Sequence, residues 1–199
     1  TNVEGVRHVI EFCKKHNAAL IHVSTLSVGG FIDREMADIG VSLSEQRLWV
    51  RQDLSNAYLE SKFTAEKLIL LEVANGLRAK IMRVGNLQGR ITDGEFQMNR
   101  ATNGFTKLLQ SLVRTGRCPQ SMAQSWTNFS PVDAVARAIC RMAGSPAEYT
   151  VFHIFDSNDL PVTKLLDGLA ALGYPVEVID DAAFDEFMLH AAEDPSFSD

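Results

Sequence analysis

The chain has 199 residues, 46% hydrophobic and 22% charged, with a formal net charge of −6. That is enough apolar material for a buried core in one domain or one and a half, and an acidic balance without a basic block argues against nucleic acid or an anionic membrane surface as partner. No apolar run approaches a membrane span, the opening TNVEGVRHVIEF lacks the basic-then-apolar pattern of a leader, and Cys13, Cys118 and Cys140 are too few and too scattered for a disulfide framework, which fits reduced thiols in the cytoplasm.

In chain order, the sequence opens inside a helix. Val3, Val6, Val9, Ile10 and Cys13 recur at helical spacing until His16-Asn17, so the chain is expected to be a fragment, or the ordered part of something longer. Ala18–Val23 is a short apolar run that predicts a buried strand, with Ser24, Thr25 and Ser27 just past its end and Gly29-Gly30 following. Residues 31–56 carry charges without a clear period and predict a long loop with one helical turn; loops of that length inside a domain are usually functional. Residues 57–75 predict a strong helix with Leu59, Phe63, Lys67, Leu70 and Leu71 on one side and Gly76 as its cap. Ala79–Val84 predicts a second buried strand ending in Gly85-Asn86. Helix, strand, loop, helix, strand is the alternation of a parallel α/β sheet.

Beyond residue 100 the pattern changes. Phe105, Leu108, Leu109, Leu112 and Val113 predict a helix ending at Gly116. Ser130-Pro131-Val132-Asp133 reads as a helix start, with Ser130 as the cap and Pro131 in the first helical position. That helix runs to Met142. Tyr149–Phe155 alternates like a strand, Pro161–Leu172 is a helix closed by Gly173, and Val176–Ile179 is a short strand. Asp180 or Asp181 caps a last helix to about Ala192, and a tail over 193–199 is expected to be disordered. The five histidines show no metal-ligand spacing, so no metal site is expected.

Tyr58 and Lys62 stand four apart on the predicted helix and so share a face one turn apart. A phenol with a reference pKa near 10 is a poor acid/base at neutral pH, and a neighbouring ammonium favours its ionised form. A tyrosine tuned in this way can give a proton to a carbonyl oxygen as hydride arrives. Alone the pair is weak evidence: three tyrosines and seven lysines produce a chance Tyr-x-x-x-Lys in roughly one such chain in ten. Ser24-Thr25 adds to it, because the rim beyond the strands' carboxyl ends is where α/β sheets place ligands, and a hydroxyl there can stabilise charge developing on a carbonyl oxygen. A strand-end threonine capping a turn is the ordinary alternative.

The segments HVSTLSV, AYLESKFTAEKL, MRVGNLQGR, NFSPVDAVARAI and VFHIFD, in this order, resemble an extended short-chain dehydrogenase/reductase. Within that superfamily they most resemble the thioester reductase domains that end nonribosomal peptide and polyketide assembly lines, with fatty acyl-CoA and carboxylic acid reductases as near relatives. The resemblance runs from about residue 2 to about residue 190. It implies an α/β fold: the C-terminal portion of a Rossmann-like doubly wound parallel sheet over 1–95, and a smaller, mostly helical substrate-binding part over 96–192 with a return strand near 149–155. It implies catalytic roles for Thr25, Tyr58 and Lys62: Tyr58 as proton donor, Lys62 on the nicotinamide ribose, Thr25 on the substrate carbonyl. Val84, Gly85, Asn86 and Leu87 match the turn whose backbone lies beside the nicotinamide, and Arg83 and Asn86 are typical there. Ser24, Ser27 and Phe105 join Thr25 as expected substrate contacts.

One departure matters. The family opens with a glycine-rich turn that places the cofactor pyrophosphate at a helix N-terminus, and no G-x-x-G-x-x-G occurs in these 199 residues. The implied activity is NADPH-dependent release of a carrier-bound acyl or peptidyl thioester as aldehyde or alcohol, with NADH the less favoured cofactor. Its partners would be a carrier protein and upstream synthetase domains. A nucleotide-sugar epimerase or dehydratase shares the Thr/Tyr/Lys set and is the rival enzyme; a non-catalytic module that docks a partner is the rival outside enzymes. The 199 residues alone are expected to bind NADPH weakly, to lack reductase activity, and to self-associate through an exposed sheet edge or to need an N-terminal half.

Overall fold

The first predicted helix, α1 (Asn2–His16), ends where Asn17 turns left-handed at φ 50. In the computed structural model, which describes residues 2–29, 31, 32, 43–98 and 103–193, the next element is β1 (Leu20–Thr25). It begins and ends two residues later than the sequence suggested. Ala18 and Ala19 belong to the turn, because the Ala18 amide returns to the Cys13 carbonyl at 2.9 Å, while Ser24 and Thr25 are paired strand residues opposite Arg83 and Val84. A 3-10 turn over Leu26–Gly29 follows, then β2 (Phe31–Ile32) and β3 (Gln52–Asp53), which pair antiparallel. The expected loop of 31–56 is therefore pinned at both ends; its residues 33–42, with the expected helical turn, lie outside the described residues.

Helix α2 (Ala57–Ala74) leads into β4 (Ala79–Val84), all six residues of which are buried. The core-facing residues of α2 are Ala65, Glu66 and Ile69, whereas Leu71 is exposed. The predicted apolar side was misplaced because the stripe that faces the sheet contains a carboxylate. After β5 (Leu87–Gln88) the chain builds α3 (Gly104–Thr115), β6 (Arg117–Pro119), a one-turn α4 (Gln120–Ala123), β7 (Trp126–Asn128) and β8 (Ser130–Pro131). Ser130 does not cap the following helix, α5 (Val132–Ala143): Pro131 occupies the cap position, and the buried Ser130 sends its amide to the Asn86 carbonyl at 2.8 Å. Then come β9 (Val151–Ile154), β10 (Asp159–Pro161), α6 (Val162–Ala171), β11 (Glu177–Ile179) and α7 (Asp181–Glu193). The expected tail beyond 193 lies outside the described residues.

Two units result. The first takes residues 1–87 and 130–155, so α5 joins the return strand in the sheet unit. Its sheet is parallel in the order β1-β4-β9, with Ser24, Arg83 and His153 in one cross-strand row. Strand alternation sends Leu20, Ile81 and Val151 to the side of α1 and α2, where Ile10, Cys13 and Ile69 complete a core. Met82, Val84 and Ile154 go to the other side, against Val135 of α5. Lys80 is buried on that second side, with its ammonium donating to the Pro146 and Tyr149 carbonyls. β1 has one partner, β4, so its other edge is unpaired among the described residues, and Ile21 and Val23 are exposed.

The second unit holds residues 88–129 and 156–199. β7 pairs antiparallel with β10, and β6 pairs parallel with β11. Leu112, Cys118, Ala123, Val162 and Leu166 form its core. Gly116 ends α3 in the left-handed region at φ 62, the cap that the sequence marked. Asp180 accepts from the Ala182 amide and so caps α7, while Asp181 accepts from the Ser121 amide and hydroxyl, both at 3.0 Å. Among the described residues no helix is long and apolar enough to cross a membrane.

Candidate catalytic site

α2 begins where it does because Asn56, extended at φ −78 and ψ 121, turns its side-chain oxygen onto the Tyr58 and Leu59 amides at 2.8 and 3.4 Å. Tyr58 is thereby fixed in the first turn and is 51% exposed. Among the described residues nothing bonds its hydroxyl. One turn on, the Lys62 ammonium lies 6.0 Å from the centre of the Tyr58 ring and donates to the Val23 carbonyl at 3.4 Å. Burial holds the Lys62 ammonium below the ordinary lysine range, and the Glu66 carboxylate one turn further along opposes that shift.

Thr25 ends β1 directly opposite Val84. Its hydroxyl oxygen accepts the Ser27 amide at 3.1 Å, and no described residue accepts its proton. A hydroxyl has one donor to give, so the Thr25 proton is available to an incoming acceptor. Ser27 is exposed in the 3-10 turn. Ser24 alternates to the opposite side of the strand: it is 2% exposed and its hydroxyl donates to Glu66 at 2.6 Å. The expected substrate contact from Ser24 thus meets a hydroxyl already committed inward. In the Val84–Leu87 turn the Gly85 amide goes to Ile154 at 3.1 Å and the Asn86 carbonyl takes Ser130, while the Asn86 side chain is exposed. The structure therefore brings Thr25, Tyr58, Lys62 and the start of this turn to one end of the sheet. Phe105 belongs to the second unit, where it meets Phe129 edge-on at 5.1 Å.

Sequence reasoning missed Glu66. It continues the stripe of Tyr58 and Lys62 at the same spacing of four, so the signal was available, but a carboxylate on a predicted apolar helix passed unnoticed. Glu66 and Arg83 are both 0% exposed and form a two-pronged ion pair, with Arg83 Nε and Nη2 at 3.0 and 2.8 Å from Oε2. The remaining Arg83 nitrogen reaches the Ser44 carbonyl at 2.9 Å and His153 Nε2 at 3.1 Å. For His153 to accept there it must be neutral, and burial followed by the Arg83 charge holds it below the ordinary histidine range against Glu45 and Glu66. His22, one step before Ser24 on the same face, is held low by burial and then by Lys62.

Comparison with known proteins places these residues in context. The sequence profile of the NAD-binding family described as male sterility protein matches residues 1–139. A thiolation-reductase di-domain from an archaeal non-ribosomal peptide synthetase is 33% identical with a TM-score of 0.82, over 94% of this chain and 40% of its own. The reductase domain of the aureusimine biosynthetic cluster is also 33% identical with a TM-score of 0.82, over 98% of this chain and 51% of its own. Glycine betaine reductase ATRR of Emericella nidulans is 29% identical over 88% of this chain and 14% of its own length. The chain thus spans about half or less of each of these three proteins. With the parallel sheet, the Thr25, Tyr58 and Lys62 spacing and a match over more than half its length, the chain belongs to the NAD-binding male sterility protein family of extended short-chain dehydrogenase/reductases.

Proposed function

We propose that this chain is the catalytic portion of an NADPH-dependent reductase that releases a carrier-bound acyl or peptidyl thioester as an aldehyde, or as an alcohol after a second reduction. The observation that carries this reading is local. A half-exposed Tyr58 and a half-buried Lys62 stand one turn apart on one helix. The lysine bonds the Val23 carbonyl, two residues before Thr25, whose proton is unspent, at the carboxyl end of a parallel sheet. Similarity at 33% to two synthetase reductase domains supports the thioester over a nucleotide sugar, for which the shared Thr/Tyr/Lys set is the main argument.

The residues present fit part of a nicotinamide cofactor. The Lys62 ammonium has one long bond, at 3.4 Å, and two further donors for ribose hydroxyls. Val84, where the Val84–Leu87 turn begins, lies directly opposite Thr25, and the Asn86 side chain is exposed. A pyrophosphate cradle is not among these residues, so affinity is expected to be low in this chain by itself. When bound, the cofactor supplies hydride to the carbonyl carbon. Thr25 donates to the carbonyl oxygen and holds it in place. Tyr58 gives that oxygen its proton, and loss of the thiol from the resulting carbon leaves the aldehyde. Ser27 would contact the acyl arm. A carrier domain and upstream synthetase domains are the partners in this reading. A cytoplasmic site of action fits the free thiols of Cys13, Cys118 and Cys140.

The test is to supply a pantetheine thioester and NADPH to this chain joined to the N-terminal half that carries the glycine-rich turn, following cofactor consumption and trapping the aldehyde. Thioester-dependent consumption that disappears in Tyr58→Phe is the expected result. Cofactor that is neither consumed nor bound would favour a docking module. Turnover of a nucleotide sugar without net cofactor consumption would favour the epimerase reading.

A further inference from the structure

The buried Glu66–Arg83 pair calls for an explanation beyond stability. Taking both charges out of water costs several kcal/mol per ion, and apolar side chains of similar size often serve a core as well or better. What apolar side chains cannot do is bond several separate pieces of chain at once. Glu66 Oε1 accepts the Ser24 hydroxyl at 2.6 Å, which fixes the strand residue next to Thr25. Glu66 is also one helical turn from Lys62, which is one turn from Tyr58. Through Arg83 the same carboxylate reaches the segment between the two catalytic elements, because Arg83 Nη1 donates to Ser44 at 2.9 Å and to Arg47 at 3.5 Å. That segment is tied down further at its own ends. Glu45 accepts the His153 amide at 2.6 Å, and Gln52, 3% exposed, bonds the Val28 and Leu48 carbonyls at 3.1 and 2.9 Å and the Val50 amide at 2.7 Å.

We propose that Glu66 is the positioning residue of this site: one buried carboxylate, through Ser24 and Arg83, holds the Thr25 strand, the Tyr58–Lys62 helix and the 43–53 segment in a single register. Glu66 touches none of the reacting atoms. It acts through Ser24, through Arg83 and through its charge on Lys62, whose other facing groups are Tyr58 on the same helix and His22 on β1. The proposal rests on the reductase reading for its kinetic consequences but not for the clamp itself.

The experiment compares Glu66→Gln, Arg83→Met and Ser24→Ala with the parent protein by amide hydrogen exchange and by the pH profile of thioester reduction. Glu66→Gln keeps the shape and an acceptor for Ser24 but removes the charge from Arg83 and Lys62. Exchange over 43–53, the Val50 amide above all, should speed up by on the order of 10-fold or more in Glu66→Gln and Arg83→Met, with α3 of the other unit unmoved. Turnover should fall by about 10–10²-fold, as small misplacements of reacting groups do. If deprotonation of Lys62 sets the alkaline limb of the profile, that limb should move to lower pH in Glu66→Gln, since the carboxylate that opposes the lowering of its pKa is gone. Ser24→Ala removes only a hydroxyl; it should fold and lose turnover with little change in the KM for NADPH. Unchanged exchange over 43–53 in a folded Glu66→Gln would overturn the clamp. An unmoved alkaline limb, or wild-type turnover in Ser24→Ala, would overturn the positioning role and leave a structural pair. If Glu66→Gln does not fold, Ser24→Ala decides alone. The exchange arm needs no substrate, so absence of thioester reductase activity when the chain is joined to its N-terminal half would refute the proposed function and leave the clamp standing on exchange.

Discussion

The two units bury different chemistry. Among the described residues every buried polar or charged side chain, namely Ser24, Gln52, Glu66, Lys80, Arg83 and Ser130, lies in the sheet unit, while the second unit closes on Leu112, Cys118, Ala123, Val162 and Leu166. A buried charge is tolerated only where partners are held in place around it. The sheet unit has such a frame, with Ile69, Ile81 and Met82 wholly inside and strand ladders setting the spacing of Ser24, Arg83 and His153. The second unit has pairs of three-residue strands and keeps its ion pairs, Arg90 with Asp93 and Glu95 and Lys164 with Asp167, on the surface. The groups proposed for catalysis sit in the unit that can afford polar interiors, which is where a lysine can be half-desolvated and still neighboured by a carboxylate.

The sharpest way to break this contrast is to change the chemistry without the frame. In the intact parent protein, Tyr58→Phe should lower turnover by about 10²–10⁴-fold, the usual worth of a general acid, while cofactor affinity barely moves. Steady-state rates and a cofactor titration check both halves, and wild-type turnover would remove Tyr58 from the site. The two cores come next. Ile81→Ala in the sheet unit and Leu112→Ala in the second unit should each cost about 2–5 kcal/mol by denaturant unfolding, as buried large-to-small changes do. Loss of the Tyr58–Lys62 environment should accompany the first.

The half-buried histidines give a pH dependence. His153 and His22 have folded pKa values below the ordinary 6.5, His153 through burial and then Arg83, with Glu45 and Glu66 opposing, and His22 through burial and then Lys62, with Glu66 opposing. Between those folded values and the unfolded one the unfolded chain binds more protons. Stability is therefore expected to be intact above about pH 6.5 and to fall as pH drops below it. His153→Gln, which keeps an acceptor for Arg83 but does not titrate, should flatten part of that slope in denaturant curves taken at several pH values. The smallest effect belongs to the surface. Lys14→Gln breaks the 2.7 Å bridge from α1 to Glu72, yet Lys14 is 54% exposed, so a loss of about 0.2–1 kcal/mol is expected. A larger loss would show that the α1–α2 contact depends on that charge.

What could be read in the sequence was what repeats over short distances. Ala79–Val84 is a run of strand length bounded by turns, and it forms β4 with those same limits. Tyr58 and Lys62 share a helix face because four residues make about one turn, and Gly116 and Gly173 mark helix ends because both take positive φ. Between 117 and 128 the strands are three residues long, too short to show a period, and they passed unread. The buried side of α2 was misread because Glu66 faces the sheet, and nothing local says that a carboxylate will find an arginine there. Its partners stand 42 residues before it, at Ser24, and 17 after it, at Arg83, which in turn meets His153 another 70 residues on. Local sequence sets which way each side chain points on its own helix or strand. Only the register of three parallel strands under one helix decided that these four would meet, because that register is fixed by the packing of whole elements and not by any short stretch of chain.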